Sequence, residues 1–194
     1  MARPREFDST EALEKALNLF WTKGYEATSL NDLVTSMGLS KSSFYLTYGS
    51  KHDVFLSSIE HYNNTMTAQI ASVAQLDLPA KKLIYSLFNR AVSRVLEEGG
   101  LRGCFLNNCA VEVALKDGAA AKIISSGYRL MEDTFFLLVQ RGQLEGDIDT
   151  LKDTRALARY LNSSLNGLFV SAKANLNPNS LEDIVQVTLT ALDN

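Results

Sequence analysis

Three prolines, two cysteines, two histidines and a single tryptophan in 194 residues leave several kinds of chemistry without material. So few prolines, with no sustained alternation of β-branched and polar residues, predict an all-α chain. The cysteines (104 and 109) and histidines (52 and 61) do not have the spacing of a structural zinc site, so neither metal nor cofactor is expected. Neither histidine is placed to act as a base, no glycine-rich phosphate loop occurs, and no carboxylate pair stands out from ordinary surface charge. An enzyme is therefore not the expected reading. No segment approaches the ~20 apolar residues that span a bilayer, which excludes a membrane partner. The opening MARPREFDST lacks the apolar stretch of a signal peptide, and the cytoplasm is the expected compartment. Internal repeats and low-complexity stretches are absent as well. What remains is a chain 46% hydrophobic, enough to bury a core of one or two domains.

The stretch Leu30 to Lys51, LNDLVTSMGLSKSSFYLTYGSK, carries the most information. Leu30, Leu33, Val34 and Met37 fall at i, i+3, i+4 and i+7 and make one apolar helical stripe. Gly38 stops that helix, because glycine adopts left-handed backbone angles without a steric penalty. Ser40 caps a second, short helix whose Phe44 and Tyr48 lie four apart on one face. The opposite face carries Lys41, Ser42, Ser43, Tyr45 and Leu46. Two short helices joined at a glycine turn, the second presenting polar and aromatic groups outward, have the layout of a helix-turn-helix. A major groove about 12 Å wide admits one such helix. Ser42, Ser43 and Tyr45 supply donors and acceptors, Leu46 suits a thymine methyl, and Lys41 and Lys51 are placed to neutralise phosphates. The same spacing also suits two core helices of an ordinary all-α domain.

The flanking residues narrow the choice. The first helix (Leu13, Ala16, Leu17, Phe20, then LFWTKGYEATSL), the helix-turn-helix and the following GSKHDVF together resemble the tetracycline-repressor (TetR) family of bacterial transcription regulators. The pair Gly24-Tyr25, then Thr28, matches the turn after that family's first helix. Ser40 to Tyr45 matches its recognition helix, and Gly49-Ser50-Lys51 the start of its fourth helix. The resemblance implies that Thr28, Tyr45 and Lys51 contact phosphates and that Ser42, Ser43 and Leu46 read bases, with Phe44 and Tyr48 in the core. Tyr45-Leu46-Thr47-Tyr48 departs from the histidine and final phenylalanine of many relatives, which leaves the operator sequence open. Arg3 and Arg5 suit a short minor-groove arm, or equally a solvated terminus. Charge gives no support: residues 1–53 hold six basic and seven acidic side chains, in a chain of net charge -3. The supporting feature is distribution, with Lys41, Lys51 and His52 grouped at the expected groove face.

Spacing of caps divides the chain. Asp8 with Glu11 and Ser50 with Asp53 have the pattern of N-terminal capping pairs. A long helix through Phe55, Ile59, Tyr62, Met66, Ile70 and Val73 runs to a break near Pro79. The expected organisation is a three-helix DNA-binding domain at 1–53, a linking helix at 54–78 and a helical ligand-binding and dimerisation domain at 79–194. Helices in the last are expected at 79–98, 104–115, 119–145, 151–175 and 180–192.

The last two of these are expected to pair with a second copy through Leu157, Leu161, Ser164, Leu165, Leu168 and Phe169 of one and Leu181, Ile184, Val185, Thr188 and Leu192 of the other. Small Ser163 and Gly167 permit close approach. Packing within one chain is the plainer use of such stripes, and a bundle shared by two subunits is what the resemblance implies. Tyr85, Phe88, Phe105, Tyr128, Met131, Phe135 and Phe136 supply enough apolar surface for an effector cavity or for core. Asn107, Asn108 and Glu112 either face that cavity or are exposed. Cys104 follows glycines at a helix start, with Arg102 nearby, a setting that favours the reactive thiolate. Cys104 is thus a candidate electrophile sensor, with Cys109 as a second thiol. On a regular helix their separation of five residues is about 9 Å, too far for a disulfide. The alternative is two small buried hydrophobes.

The combined expectation is a homodimeric transcription regulator, a repressor, released from double-stranded operator DNA by a small-molecule effector or electrophile. The alternatives are a thiol-dependent enzyme built on Cys104 and a helical protein-interaction module.

Overall fold

The computed structural model describes residues 8–97, 102–174 and 177–193. Arg3 and Arg5, the expected minor-groove arm, lie outside the described residues. These described residues form the helices α1 (Ser9–Lys23), α2 (Leu30–Met37), α3 (Lys41–Tyr48), α4 (Lys51–Ala74), α5 (Ala80–Glu97), α6 (Phe105–Glu112), α7 (Gly118–Glu145), α8 (Thr154–Ala174) and α9 (Pro178–Thr190), and no strand. The fold class is all-α, as the sparse proline and the 3.6-residue periodicity predict.

The chain divides into two compact units whose limits differ from the expected domains. One comprises the residues up to Asn64 together with Asn108–Ile124; the other comprises Thr65–Asn107 and the residues from Ser125 onward. The division falls inside α4, α6 and α7, so each of these helices begins in one unit and ends in the other.

In the first unit, short-range capping sets the helix limits. The Asp8 carboxylate accepts the N–H groups of Thr10 at 2.8 Å and Glu11 at 3.3 Å, starting α1. Ser29 and Asp32 form a reciprocal capping box at α2. Ser40 caps α3 through the Ser43 N–H at 3.1 Å, and Ser50 caps α4 through the Asp53 N–H at 3.1 Å. Gly38 ends α2 in the left-handed conformation (φ 69°), as expected. The core of this unit gathers Phe20, Leu33, Phe44, Phe55 and Ile59, each at most 2% exposed. Phe20 and Phe55 meet edge to face at 5.2 Å, and Trp21 meets Tyr62 in the same way at 5.2 Å.

In the second unit, apolar stripes and long-range polar contacts do more of the work. Phe88 and Phe135 are fully buried with ring centroids 5.9 Å apart. The N–H of Ala80, at the start of α5, finds the Glu145 carboxylate of α7 at 2.9 Å. Arg155 of α8 bonds Asp133 at 2.6 Å and Glu132 at 3.2 Å and lies over the Phe136 ring at 4.0 Å. Gln143 ties the α7–α8 connection by donating to the carbonyls of Asp149 and Lys152.

Most expected limits shift by a residue or more, three of them for a physical reason that the hydrogen bonds show. Helix α8 starts at Thr154 rather than 151, because Asp153 caps it by accepting the Ala156 N–H at 2.6 Å. Helix α9 starts at Pro178 rather than 180, because Asn177 is a cap and Pro178 a first-turn proline, which has no N–H to leave unsatisfied. Helix α6 stops at Glu112 rather than 115, because Lys116 and Asp117 turn back onto the Val113 carbonyl.

The expected pairing stripes are also reassigned. Leu157, Leu161, Leu165, Leu168 and Phe169 of α8, Leu181, Val185 and Thr188 of α9, and Leu192 just beyond it are all buried within the single chain. What α8 leaves open is a line of smaller side chains with Tyr160, Ser163, Gly167 and Val170, and α9 leaves Val187 at 66% exposure. Among the described residues no helix is long and apolar enough to cross a membrane.

Candidate nucleic-acid interface

Helix α3 is anchored on one side and bare on the other. Phe44 is fully buried, and the Tyr48 hydroxyl donates to the Ser9 carbonyl at 2.9 Å, fixing the end of α3 to the start of α1. One hydroxyl organises the first turn, since Ser40 bonds both Ser42 (3.0 Å) and Ser43 (2.9 Å). The outer face presents Lys41, Ser42, Tyr45 at 53% exposure and Leu46 at 89%. Ser43 is half-buried beside the cap. Leu46 is thus as open as single apolar side chains elsewhere in the chain, such as Leu115 and Leu151, and differs from them in standing beside Lys41, Ser42 and Tyr45 on one helix face.

Lys51 opens α4, and its ammonium sits 4.4 Å from the centroid of the Tyr25 ring. That ring packs on Phe55 at 4.4 Å, so Lys51 is held against a rigid aromatic stack. Burial, with the nearby Asp117 and Glu26 charges, pushes the Tyr25 phenol up from 10.0 and keeps it neutral.

Thr28 departs from the surface role that the resemblance implied. It is 1% exposed, and its hydroxyl donates to the Gly24 carbonyl at 2.5 Å. The side chain closes the α1–α2 turn from inside, which takes the hydroxyl away from solvent. His52 departs likewise from the groove-face group: its Nε2 lies 2.7 Å from the Asp117 carboxylate. The Lys23 ammonium beside Asp32, with the Ser29 N–H and hydroxyl, holds the Asp32 carboxyl well below the usual carboxylate range.

Two residues of this unit escaped the sequence reading. Glu112, left open there between cavity and surface, accepts the backbone N–H groups of Tyr25 at 3.0 Å and Glu26 at 2.9 Å. Asp117, between the expected helices 104–115 and 119–145, caps α7 by accepting the Ala119 and Ala120 N–H groups, each at 3.0 Å. Those bonds and His52 hold its carboxyl below 3.8, the Ala120 N–H contributing most. The Asp-Gly before AAAK is a local capping signal for the second. Glu112 has no local signal at all, because its partners lie 87 and 86 residues away.

Cys104 (8% exposed) precedes the first residue of α6 in the second unit, and Cys109 (2% exposed) lies within α6 in the first; neither is in a disulfide. Phe105 and Phe135 are core, at 1% and 0% exposure. The Tyr128 hydroxyl donates to buried Asn107 at 2.7 Å, and Asn107 donates to the Asn166 carbonyl at 3.2 Å. A separate cavity of about 400 Å³ opens between Met66 and Ile70 of α4, Leu87 and Arg94 of α5, and Leu165 and Phe169 of α8, with Met131 of α7 also on its wall. Of the aromatic and thiol residues expected to sense a ligand, none lines it.

Residues 12–57 match the family model for bacterial regulatory proteins of the tetR family, and residues 80–188 match that for the tetracyclin repressor-like C-terminal domain. The chain is 33% identical to the HTH-type transcriptional regulator YezE of Bacillus subtilis (strain 168), over 100% of both chains. It is 31% identical to the HTH-type transcriptional repressor ComR of Escherichia coli (strain K12), covering 98% of this chain and 90% of that one. Among solved structures it is similar to a cysteine mutant of the TetR family transcriptional regulator CifR complexed with 26-bp double-strand operator DNA. That likeness has a TM-score of 0.88 at 28% identity, over 98% of this chain and 100% of the other.

Proposed function

The chain belongs to the tetR family of bacterial regulatory proteins, and from that premise we propose that it is a homodimeric repressor whose α3 enters the major groove of operator DNA in the cytoplasm. Residues 1–53 read the DNA, 54–78 link, and 79–194 pair the subunits and receive the signal. The observation that carries this is the outer face of α3, where Tyr45 and Leu46 stand 53% and 89% exposed on a helix otherwise fixed by Phe44 and Tyr48. Tyr45, Lys41 and Lys51 contact phosphates, while Ser42, Ser43 and Leu46 face base edges. Thr28 supports the phosphate-facing turn from within. Two copies present their α3 helices to half-sites about one helical turn apart. The open faces of α8 and α9, with Gly167 free of any neighbour within 4 Å of an added Cβ, supply the pairing surface.

The signal is a small apolar ligand in the cavity lined by Met66, Leu87 and Phe169, or an electrophile that modifies Cys104. Either acts by shifting α4, which carries Lys51 at one end and part of that cavity's wall at the other. Burial of both thiols supports the noncovalent route, since a reactive cysteine needs access.

The test is binding to a duplex from upstream of the protein's own gene, titrated in salt with and without a reactive quinone. Tight, salt-sensitive binding is expected, with a steep fall in affinity as salt rises. Release by the quinone that disappears in Cys104→Ser supports the thiol route; persistence of release in that variant removes it. Salt-insensitive, weak association with every duplex tried would remove the operator reading.

A further inference from the structure

The segment Asn108–Ile124 lies far along the chain from the DNA-reading helices, yet it belongs to the same compact unit. Its two carboxylates meet that unit at two places. Glu112, the last residue of α6, receives both N–H groups that follow Gly24. Gly24 has φ +86°, and the Tyr25 and Glu26 N–H groups that follow it both point at the one carboxylate. A Cβ at Gly24 would lie 3.0 Å from one Glu112 oxygen and 3.2 Å from the other, so the carboxylate fills the space that the glycine leaves. Asp117, five residues on, bridges to His52 at the start of α4 while its other oxygen caps α7.

The turn that Glu112 grips is the one on which the phosphate-contacting side depends. Its Gly24 carbonyl takes the Thr28 hydroxyl, and its Tyr25 ring supports the Lys51 ammonium and packs on Phe55. Without the carboxylate, the Tyr25 and Glu26 N–H groups lose a charged acceptor and the turn loses its fixed direction. Resting on the reading of the chain as an operator-binding protein, we propose that Glu112 is a positioning residue for DNA binding. Its carboxylate sets the α1–α2 turn so that Tyr25 aims Lys51 at a phosphate.

Glu112→Gln tests this with almost no change of shape. The amide keeps one acceptor oxygen but sets an NH2 donor against the other backbone N–H. A duplex selected by the wild-type protein from a random pool is the probe. The expected result is about tenfold weaker binding and a shallower dependence of log Kd on log salt, because a phosphate contact is lost. The thermal midpoint should stay close to wild type, and amide exchange at Tyr25 and Glu26 should quicken. Unchanged affinity and salt slope would overturn the proposal, as would weaker binding at unchanged slope with a lowered midpoint, which marks a structural role only. Glu112→Asp retains the charge but shortens the reach, and partial recovery of the slope relative to Glu112→Gln is expected. If the wild-type protein selects no duplex at all, the operator reading itself fails. If it selects one and Glu112→Gln binds equally well, only the positioning role fails.

Discussion

The two compact units are held by different kinds of contact. In the DNA-reading unit the ends of α1 to α4 are set by residues within a few positions, Asp8, Ser29, Ser40 and Ser50 at the starts and Gly24, Gly38 and Gly49 at the stops. In the other unit the start of α5 waits for Glu145, 65 residues away, and Arg155 reaches back to Glu132 and Asp133 across the α7–α8 connection. The contrast is one of degree, since α8 and α9 have local caps in Asp153 and Asn177. The first unit's helix limits are mostly local, with the long-range bonds of Glu112 and Asp117 added to them. Long-range contacts make the second unit's helices conditional on one another.

The comparison is broken most severely in the cores. Phe55→Ala in the first unit and Phe135→Ala in the second each remove a fully buried ring and should each destabilise by about 3–5 kcal/mol in urea unfolding. If the units are thermodynamically separate, each variant lowers its own transition; a single shared transition lowered by both would show that the contact types do not divide the stability. Tyr45→Ala should weaken operator binding about tenfold, in line with the ~1–3 kcal/mol of a single good contact, and leave the thermal midpoint unchanged. A gel shift showing wild-type affinity would reverse the assigned orientation of α3. Ser29→Ala removes a purely local device, the capping box of α2, and should lower stability by about 1 kcal/mol. A loss several times larger would mean that the first unit is less locally determined than its caps suggest.

Acid sharpens the contrast from another side. The folded pKa of Asp117 lies below 3.8, so its stabilising contribution is complete above that range and falls away as pH drops through the folded value. Asp117→Asn should therefore lower stability near neutral pH and flatten its decline on the acid side, as read by thermal midpoints from pH 6 downward. The smallest expected effect on the single chain is that of Gly167→Ala. An added methyl meets nothing within 4 Å, and alanine gains up to about 1 kcal/mol of helix propensity over glycine. If α8 pairs subunits there, sedimentation should nonetheless show a weaker dimer.

The same contrast decides what the sequence made legible. The helix-turn-helix could be placed almost residue by residue, because Ser40, Gly38 and the spacing of Leu33, Met37 and Phe44 are all local signals. The apolar stripes of α8 and α9 were equally visible, but periodicity does not say which partner covers them. Leu161 and Leu168 turn out to pack inside the chain, and the open face carries the smaller Ser163 and Gly167. The phosphate role that the resemblance implied for Thr28 missed its burial, because a hydroxyl two residues before a helix looks the same whether it points in or out. Glu112 could not be found from sequence, since the turn it grips and the helix it ends are joined only by the fold. Phe105 and Phe135 were offered both as cavity wall and as core, and only packing could separate the two.

The chain has one tryptophan, and Trp21 sits in the DNA-reading unit with the Tyr62 ring edge-on to it. Its emission is therefore an optical report from that unit alone, while far-ultraviolet circular dichroism sums the helices of both. Recorded side by side during denaturation, the two signals ask whether the protein comes apart in one step or in two. No label has to be added, because the placement of a single indole has already divided the spectroscopy along the same line as the fold.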